Sequence, residues 1–229
     1  MTQIIRGVLN FQKKIFEAKE SLFKKLAEGQ FPLALFITCS DSRINPDLLA
    51  QTQPGELFVI RNAGNLVPKY EVGPGGEAAT IEYALRQLHI RDIIICGHSK
   101  CGAMHGLLNL DKLETLPTVA GWLQNARDIL GKLPPKGKLD EEELLNLTIQ
   151  QNVLLQMENL RSHPAVADGI KSRTLRIHGW VYHFEKGKVD RYDPLKGKFV
   201  GLDDKTIRPT IVEHAEKLNR QRSEFETHI

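Results

Sequence analysis

Two short segments of the sequence carry residue types that bind metal ions. The first, CSDSR, spans residues 39–43, and the second, GHSKCG, spans residues 97–102. Together Cys39, His98 and Cys101 form a Cys₂His set, which leaves one of zinc's four coordination positions free. A structural zinc site normally has a fourth protein ligand, so this set predicts a catalytic zinc ion with water in the free position. Zinc lowers the pKa of such a water to about 7, which makes hydroxide available at neutral pH.

An acidic and a basic residue accompany the first cysteine. Asp41 lies two residues from Cys39, where its carboxylate can accept a hydrogen bond from that hydroxide and orient its lone pair towards an electrophile. Arg43 can hold Asp41 in a bidentate pair and keep the carboxylate ionised. The ordinary alternatives are a surface ion pair and a loop-capping aspartate.

The two segments each follow an apolar run that predicts a buried β-strand. Such runs occur at Leu33–Thr38, Leu57–Ile60 and Ile93–Cys96, and a helical pattern at Gly75–Leu88 separates the last two. Strand, helix and strand in this order form a βαβ unit, which predicts a mainly parallel sheet. Because ligands bind at the carboxyl ends of the strands in open parallel sheets, residues 39–43 and 97–102 are expected to converge there.

The remaining patterns predict helices around this sheet and a hairpin after it. An amphipathic helix is predicted from Ile5 to Leu26, ended by Gly29. Further helices are predicted at Gly102–Leu110, Leu116–Leu130 and Glu141–Arg161, and a hairpin is predicted from Thr174–Glu185 and Lys188–Tyr192. The fold class is therefore α/β. We predict one domain over residues 1–229, with a helical arm at 1–30, a zinc-binding core at 31–200 and a tail at 201–229.

Composition excludes several classes of protein. With 229 residues, of which 41% are hydrophobic and 26% charged, the chain can form one folded core. The net charge of +3 is dispersed, so no nucleic-acid partner is expected. Neither a signal peptide nor a stretch of roughly 20 apolar residues is apparent, which predicts a cytoplasmic protein without a membrane partner. Three cysteines, an odd number, argue against a disulfide framework.

CSDSR followed about sixty residues later by GHSxCG resembles the β-class carbonic anhydrases. The stretch QPGELFVIRNAGNLV, the Glu82-Tyr83-Ala84 helix and the HGWVY segment at 178–182 are similar to the same family, so the resemblance covers nearly the whole chain. Within the family, the sequence is similar to the plant-like subgroup and to bacterial and cyanobacterial members.

This resemblance implies reversible hydration of CO₂ to bicarbonate and a proton by zinc-bound hydroxide, with one Zn²⁺ per chain. It implies Cys39, His98 and Cys101 as metal ligands and Asp41 with Arg43 as the catalytic pair. Residues that match substrate-binding positions of the family are Gln30, Phe58, Ala63, Tyr83 and Gly102. Plant enzymes tend to carry valine where this chain has Ala63.

The resemblance also implies partners. The family's N-terminal helix and sheet edge pack on a second copy, which implies a homodimer or a higher homo-oligomer. Some members of the family are found in carboxysomes. The resemblance therefore also implies possible partners among shell or scaffold proteins, and a possible carboxysome location.

Three alternatives remain open at this stage. The first is a related zinc enzyme that acts on CS₂ or COS. The second is a zinc-stabilised binding or scaffold protein without turnover, against which the Asp41 and Arg43 pair argues. The third is a thiol redox protein that uses Cys96 and Cys101, although these two cysteines lack the CxxC spacing.

Overall fold

The computed structural model describes residues 1–72, 75–135 and 137–203. In this part of the chain, one six-stranded sheet has the strand order β2-β1-β3-β4-β5-β6. The strands are β1 (Ala34–Cys39), β2 (Leu57–Asn62), β3 (Asp92–His98), β4 (Arg176–His183), β5 (Lys188–Asp193) and β6 (Lys198–Gly201). Strands β2, β1, β3 and β4 pair in parallel, and β5 and β6 continue the sheet antiparallel. The predicted α/β class, the mainly parallel sheet and the C-terminal hairpin are confirmed.

Helices surround the sheet and precede it. The α-helices are α1 (Thr2–Asn10), α2 (Phe16–Ala18), α3 (Glu20–Glu28), α4 (Pro46–Ala50), α5 (Gly76–Arg86), α6 (Gly102–Leu108), α7 (Pro117–Leu123), α8 (Glu141–Leu160) and α9 (Pro164–Lys171). A π-helical turn spans Phe11–Ile15, and 3₁₀ segments span Tyr70–Val72, Leu110–Lys112 and Gln124–Lys132. None of the helices described is long and apolar enough to cross a membrane.

The centre of the sheet is buried on both faces. Every residue of β1 is buried, and β1 lies between β2 and β3. Helix α8 covers β3 and β4 with Ile149 and Val153, which are also buried. This explains why the central strands are unbroken apolar runs, since a parallel strand covered on both sides has no polar face.

The long elements were predicted well, but their ends and regularity differ from the prediction. The N-terminal helix is interrupted by the π-helical turn and breaks again at Lys19, whose φ is −121°. The helix predicted at Leu116–Leu130 becomes 3₁₀ from Gln124 onwards. Strand β3 continues beyond Cys96 to His98, so both Cys39 and His98 are final strand residues rather than loop residues.

Two short helices and one short strand are absent from the prediction. Helices α4 and α9 contain five and eight residues, which gives too few turns for a clear helical period. Both begin with proline at the first helical position, after Asn45 and His163 respectively, which is the start signal that their sequences do carry. Strand β6 has only four residues. Residues 204–229, most of the predicted tail, lie outside the described residues, and the division into arm, core and tail stays a prediction.

An ion cluster at the amino-terminal ends of β3 and β4 should make stability depend on pH. Arg176 bonds both carboxylate oxygens of Asp92 at 2.8 and 2.6 Å, and His178 Nε2 lies 2.8 Å from Oδ1. Burial acts to raise the pKa of Asp92, but the bonds from His178 and Arg176 outweigh it and lower this pKa to about 2. The stabilisation, about 2 kcal/mol, is therefore present above the unfolded-state pKa near 4 and is lost as the pH falls towards 2.

We accordingly expect Asp92→Asn to lower the free energy of unfolding by about 2 kcal/mol at pH 7, with a smaller difference from the parent at pH 2–3. Urea unfolding at a series of pH values measures this. Asp111→Asn, at an exposed aspartate, is the control. It should leave the free energy of unfolding unchanged both at pH 7 and at pH 2–3. If Asp92→Asn lowered the free energy of unfolding by the same amount at low pH as at pH 7, the stabilisation could not come from the ionised carboxylate of Asp92.

Candidate active site

Three predicted ligand residues meet at the carboxyl edge of the sheet. Cys39 ends β1, His98 ends the neighbouring strand β3, and Cys101 directly precedes α6. Between the last two, Lys100 adopts a left-handed conformation with φ of 54°, which turns the chain back towards the strands. The ligand atoms of the three side chains lie within 4.8 Å of one another, and all three residues are buried.

The state of His98 fits a metal ligand. Its Nδ1 lies 2.9 Å from the carbonyl oxygen of Ser99, which can only accept, so Nδ1 carries the proton and Nε2 is left with a lone pair. That Nε2 is buried and has no hydrogen-bond partner among the described residues. Because an unpaired buried polar atom costs about 1–3 kcal/mol, a metal ion at this position would compensate it. A histidine that binds a metal is also usually oriented by a hydrogen bond from its other ring nitrogen to a carbonyl or carboxylate oxygen.

The two neighbouring thiols, Cys39 and Cys101, shift each other's pKa in opposite directions. The pKa of Cys39 is lowered to about 4, chiefly because the Cys101 thiol donates a hydrogen bond to it, and the same bond raises the pKa of Cys101. Burial opposes the shift at Cys39, whereas the backbone N–H of Gly64 favours it. Both thiols would be deprotonated when a metal binds.

Cys96 is a different kind of cysteine. It lies inside β3, is fully buried, and burial raises its pKa to about 12. A thiol redox role requires an accessible thiolate, so this environment argues against redox chemistry based on Cys96.

Asp41 and Arg43 form the predicted pair beside the cluster. Arg43 Nε and Nη2 donate to the two carboxylate oxygens at 2.9 and 2.7 Å, and the Arg43 backbone N–H adds a bond of 3.0 Å. These bonds hold the pKa of Asp41 well below its usual range. Its Oδ2 lies 4.0 Å from His98 Nε2, so the ionised carboxylate faces the ligand cluster.

Two residues that the sequence did not single out support this pair. The Phe184 ring lies 4.5 Å from the Arg43 guanidinium carbon and 6.4 Å from the His98 ring, so it packs beside both the Asp41–Arg43 pair and the predicted ligand set. Arg61 donates to the carbonyl oxygens of Cys39 and Asp41 at 3.0 and 2.8 Å. Arg61 lies in the QPGELFVIRNAGNLV stretch, so the family resemblance offers a signal for it. Phe184 has no such signal, because it reaches the site through the β4–β5 hairpin.

A row of amide side chains on α8 fixes the loop that follows β2. Asn152 donates to the carbonyl oxygen of Gly64 at 2.9 Å, Gln156 accepts from the Val67 N–H at 2.8 Å, and Asn159 donates to the Val67 carbonyl oxygen at 2.9 Å. Gln156 also donates to Asn152 at 2.9 Å. All three amides are buried, and we call them the amide row. Their spacing of four and three residues places them on one face of the helix.

The five expected substrate-binding residues divide into two groups. Ala63 precedes Gly64, whose N–H donates to Cys39 Sγ at 3.4 Å, and Gly102 follows Cys101, so these two lie at the ligand cluster. Phe58 and Tyr83 stack on each other with ring centroids 6.0 Å apart.

The second group lies towards the other end of the sheet. Phe58 pairs with Leu35, whereas Cys39 pairs with Asn62. Phe58 therefore lies four strand positions, or about 13 Å, from the level of the ligands. Gln30 precedes the first residue of β1 and is exposed. The structure thus brings Ala63 and Gly102 to the ligands of their own chain but not Gln30, Phe58 and Tyr83.

Comparisons with known proteins identify the family. The sequence model of the carbonic anhydrase family matches residues 34–189. A carbonic anhydrase of Pseudomonas aeruginosa is 47% identical over 202 residues, covering 88% of this chain and 92% of the relative. The solved structure of the β-carbonic anhydrase CcaA superposes with a TM-score of 0.85 at 42% identity, over 89% of this chain and 92% of the other. The chain belongs to the β-class carbonic anhydrases.

As a member of this family, the chain is an enzyme that catalyses the reversible hydration of CO₂ to bicarbonate, a lyase reaction. Zinc is the metal of β-class carbonic anhydrases, and the Cys39, His98 and Cys101 cluster fits it. A tetrameric β-carbonic anhydrase of the ascomycete Sordaria macrospora is also similar, with a TM-score of 0.73 and 27% identity over 88% of this chain and 98% of that one.

Proposed function

We propose that this chain hydrates CO₂ at a zinc ion held by Cys39, His98 and Cys101, with Asp41 and Arg43 as the catalytic pair. The observation that carries the proposal is the buried Nε2 of His98, which has no hydrogen-bond partner in the part of the chain that the structure describes. The ligand atoms of His98, Cys39 and Cys101 lie within 4.8 Å of one another. A bound zinc ion would supply Lewis acidity that lowers the pKa of water to about 7.

The carboxylate of Asp41 is the group that orients the attacking water. The bonds with Arg43 keep the carboxylate ionised but do not use all of its oxygen lone pairs. It can therefore accept a further hydrogen bond from that water. This bond directs an oxygen lone pair at the carbon of CO₂, where a new carbon–oxygen bond gives bicarbonate and one proton leaves to solvent or buffer. Arg43 holds Asp41 in place, and Phe184 in turn packs on the Arg43 guanidinium.

A second copy of the chain completes the substrate pocket in this proposal. Gln30, Phe58 and Tyr83 lie towards the opposite end of the sheet from the ligands of their own chain, yet they match substrate-binding positions. A partner related by a two-fold axis, with its sheet running antiparallel to this one, would bring the three residues to the ligand cluster of its neighbour. Tyr83 is 48% exposed, which leaves its ring free to contact such a partner.

The N-terminal arm supports an assembly of this kind. None of the residues of α1, the π-helical turn, α2 and α3 is buried. Large apolar side chains along it are exposed, namely Ile4, Ile5, Val8, Leu9, Phe11, Ile15 and Phe16. Contiguous apolar surface of this kind marks a protein contact, and a second copy satisfies it symmetrically.

Charged residues on the arm should therefore break the assembly. We expect the double variant Ile4→Glu, Val8→Glu to run at a lower mass than the parent in sedimentation or light scattering, because burying two carboxylates in an apolar contact is unfavourable. Lys13→Glu, which changes an exposed charge on the same arm, is the control and should keep the parent mass. An unchanged mass for the double variant would contradict the assignment of the arm to the interface.

Removal and return of the metal test the proposed function directly. We expect about one zinc per chain in freshly purified protein, and loss of both the zinc and stopped-flow CO₂ hydration after chelation. Adding zinc back should restore hydration, and adding magnesium, which prefers oxygen ligands, should not. Activity that persists in zinc-free protein would overturn the proposal. CS₂ and COS measured alongside CO₂ define the substrate preference.

A cytoplasmic location stays a prediction, as does docking to carboxysome shell or scaffold proteins. Fractionation of cells that express the tagged full chain would test both.

A further inference from the structure

One peptide group of the loop after β2 is hydrogen-bonded at both of its polar atoms. The carbonyl oxygen of Ala63 accepts from the indole Nε1 of Trp122 at 2.8 Å. The N–H of the same peptide, which belongs to Gly64, donates to Cys39 Sγ at 3.4 Å. The amide is conjugated, so a donor at the oxygen withdraws electron density and makes the N–H a stronger donor. Trp122 is thus linked to the Cys39 sulfur through a single amide.

The surroundings hold this amide in one orientation. Gly64 has φ of 84°, which favours glycine, and a Cβ there would meet Ala103 Cβ at 3.0 Å and Met104 Cε at 3.2 Å. On its other side, the Gly64 carbonyl oxygen accepts from Asn152 of the amide row at 2.9 Å. The backbone of Gly64 therefore lies close against α6 and is tied to α8, so its N–H cannot turn away from Cys39 without breaking these contacts.

We propose that Trp122 is a positioning residue that adjusts Cys39 as a metal ligand through the Ala63–Gly64 amide. The inference rests on the proposed function, because it takes Cys39 to be a zinc ligand. The indole strengthens the N–H···S bond, which draws charge from the thiolate and fixes its direction. Groups behind metal ligands that act in this way typically change metal affinity or activity 10–100-fold when they are removed.

The spectrum of cobalt-substituted protein separates this role from simple packing. The sulfur-to-cobalt charge-transfer band reports the charge on the thiolate sulfur and does not depend on turnover. Trp122→Phe keeps an aromatic ring and removes the N–H, and 3-benzothienylalanine at 122 keeps the whole indole shape without the N–H. In both variants we expect the band to move to longer wavelength, because the sulfur keeps more of its charge when the N–H···S bond weakens.

Trp180→Phe is the matched control, because it also removes an indole. The Trp180 ring packs against Phe36 in the sheet, with the ring centroids 6.1 Å apart. Its band should stay at the parent position. An unmoved band in the benzothienylalanine protein, or an equal shift in Trp180→Phe, overturns the role of Trp122 while the zinc site stands. A parent protein that takes up neither cobalt nor zinc overturns the proposed function itself, and this inference with it.

Discussion

Replacing Cys101 by alanine will remove the metal and lower the rate of CO₂ hydration by about 10⁴-fold or more, since nearly all of the catalytic power depends on the ion. Cys101 is 1% exposed, and its sulfur lies within 4.8 Å of the ligand atoms of Cys39 and His98. Without it, only two protein ligands remain, too few for a stable zinc site.

The chain contains a matched control for this substitution. Cys96→Ala also deletes a buried thiol from the same sheet region, but Cys96 is not part of the ligand cluster. It should lose some stability and keep its zinc and its activity. Metal content by mass spectrometry and stopped-flow hydration compare the two variants. Full zinc content in Cys101→Ala, or zinc loss in Cys96→Ala, would show that the ligands are assigned wrongly.

Replacing Asp41 by asparagine should give the second-largest loss, about 10²–10⁴-fold in the hydration rate, with the zinc content unchanged. Asparagine keeps the shape of the side chain, but it lacks the negative charge that orients the attacking water, and it weakens the bidentate pair with Arg43. Because Asp41 does not belong to the ligand cluster, metal binding should survive.

The control for this variant is Asp47→Asn. Asp47 lies six residues further along the chain, is exposed, and contacts Thr52 at 2.9 Å rather than the ligand cluster. Its hydration rate should match that of the parent. Parent-like turnover in Asp41→Asn would remove Asp41 from the mechanism, and zinc loss in that variant would show that the aspartate acts through the metal ligands instead.

The ligand cluster was predictable because it depends on two local patterns and one general rule of topology. Cys39 and His98 each end an apolar strand, and the carboxyl ends of parallel strands share one edge. Cys101 follows His98 by three positions across a short turn. Both relations can be recognised without knowing how the rest of the chain packs.

The supporting residues could not be found in the same way. Phe184 lies in the turn between β4 and β5, and its contact with Arg43 exists only because β4 pairs next to β3. Trp122 reaches Ala63 from a helix 59 residues away in sequence. On α8, the amide row interrupts the apolar face, so the sequence pattern alone does not indicate that these polar residues are buried.

The position of the substrate residues shows where prediction from one chain ends. Gln30, Phe58 and Tyr83 were assigned by resemblance, and the structure places Phe58 about 13 Å along the strand from the level of Cys39. A sequence pattern does not indicate whether a side chain contributes to the site of its own chain or to the site of a second copy. Whether these residues reach the ligands of a partner is decided by the shape of the assembly.

The two ends of the sheet should respond differently to acid. The Asp92 cluster titrates, whereas Asn152, Gln156 and Asn159 carry neutral amides that neither gain nor lose protons in this range. The bonds by which these amides hold the loop after β2 are consequently insensitive to acidification that already loosens the opposite edge. Amide hydrogen exchange at falling pH should therefore reveal opening first near β4's first residues, with the Val67 N–H, which donates to Gln156, still protected.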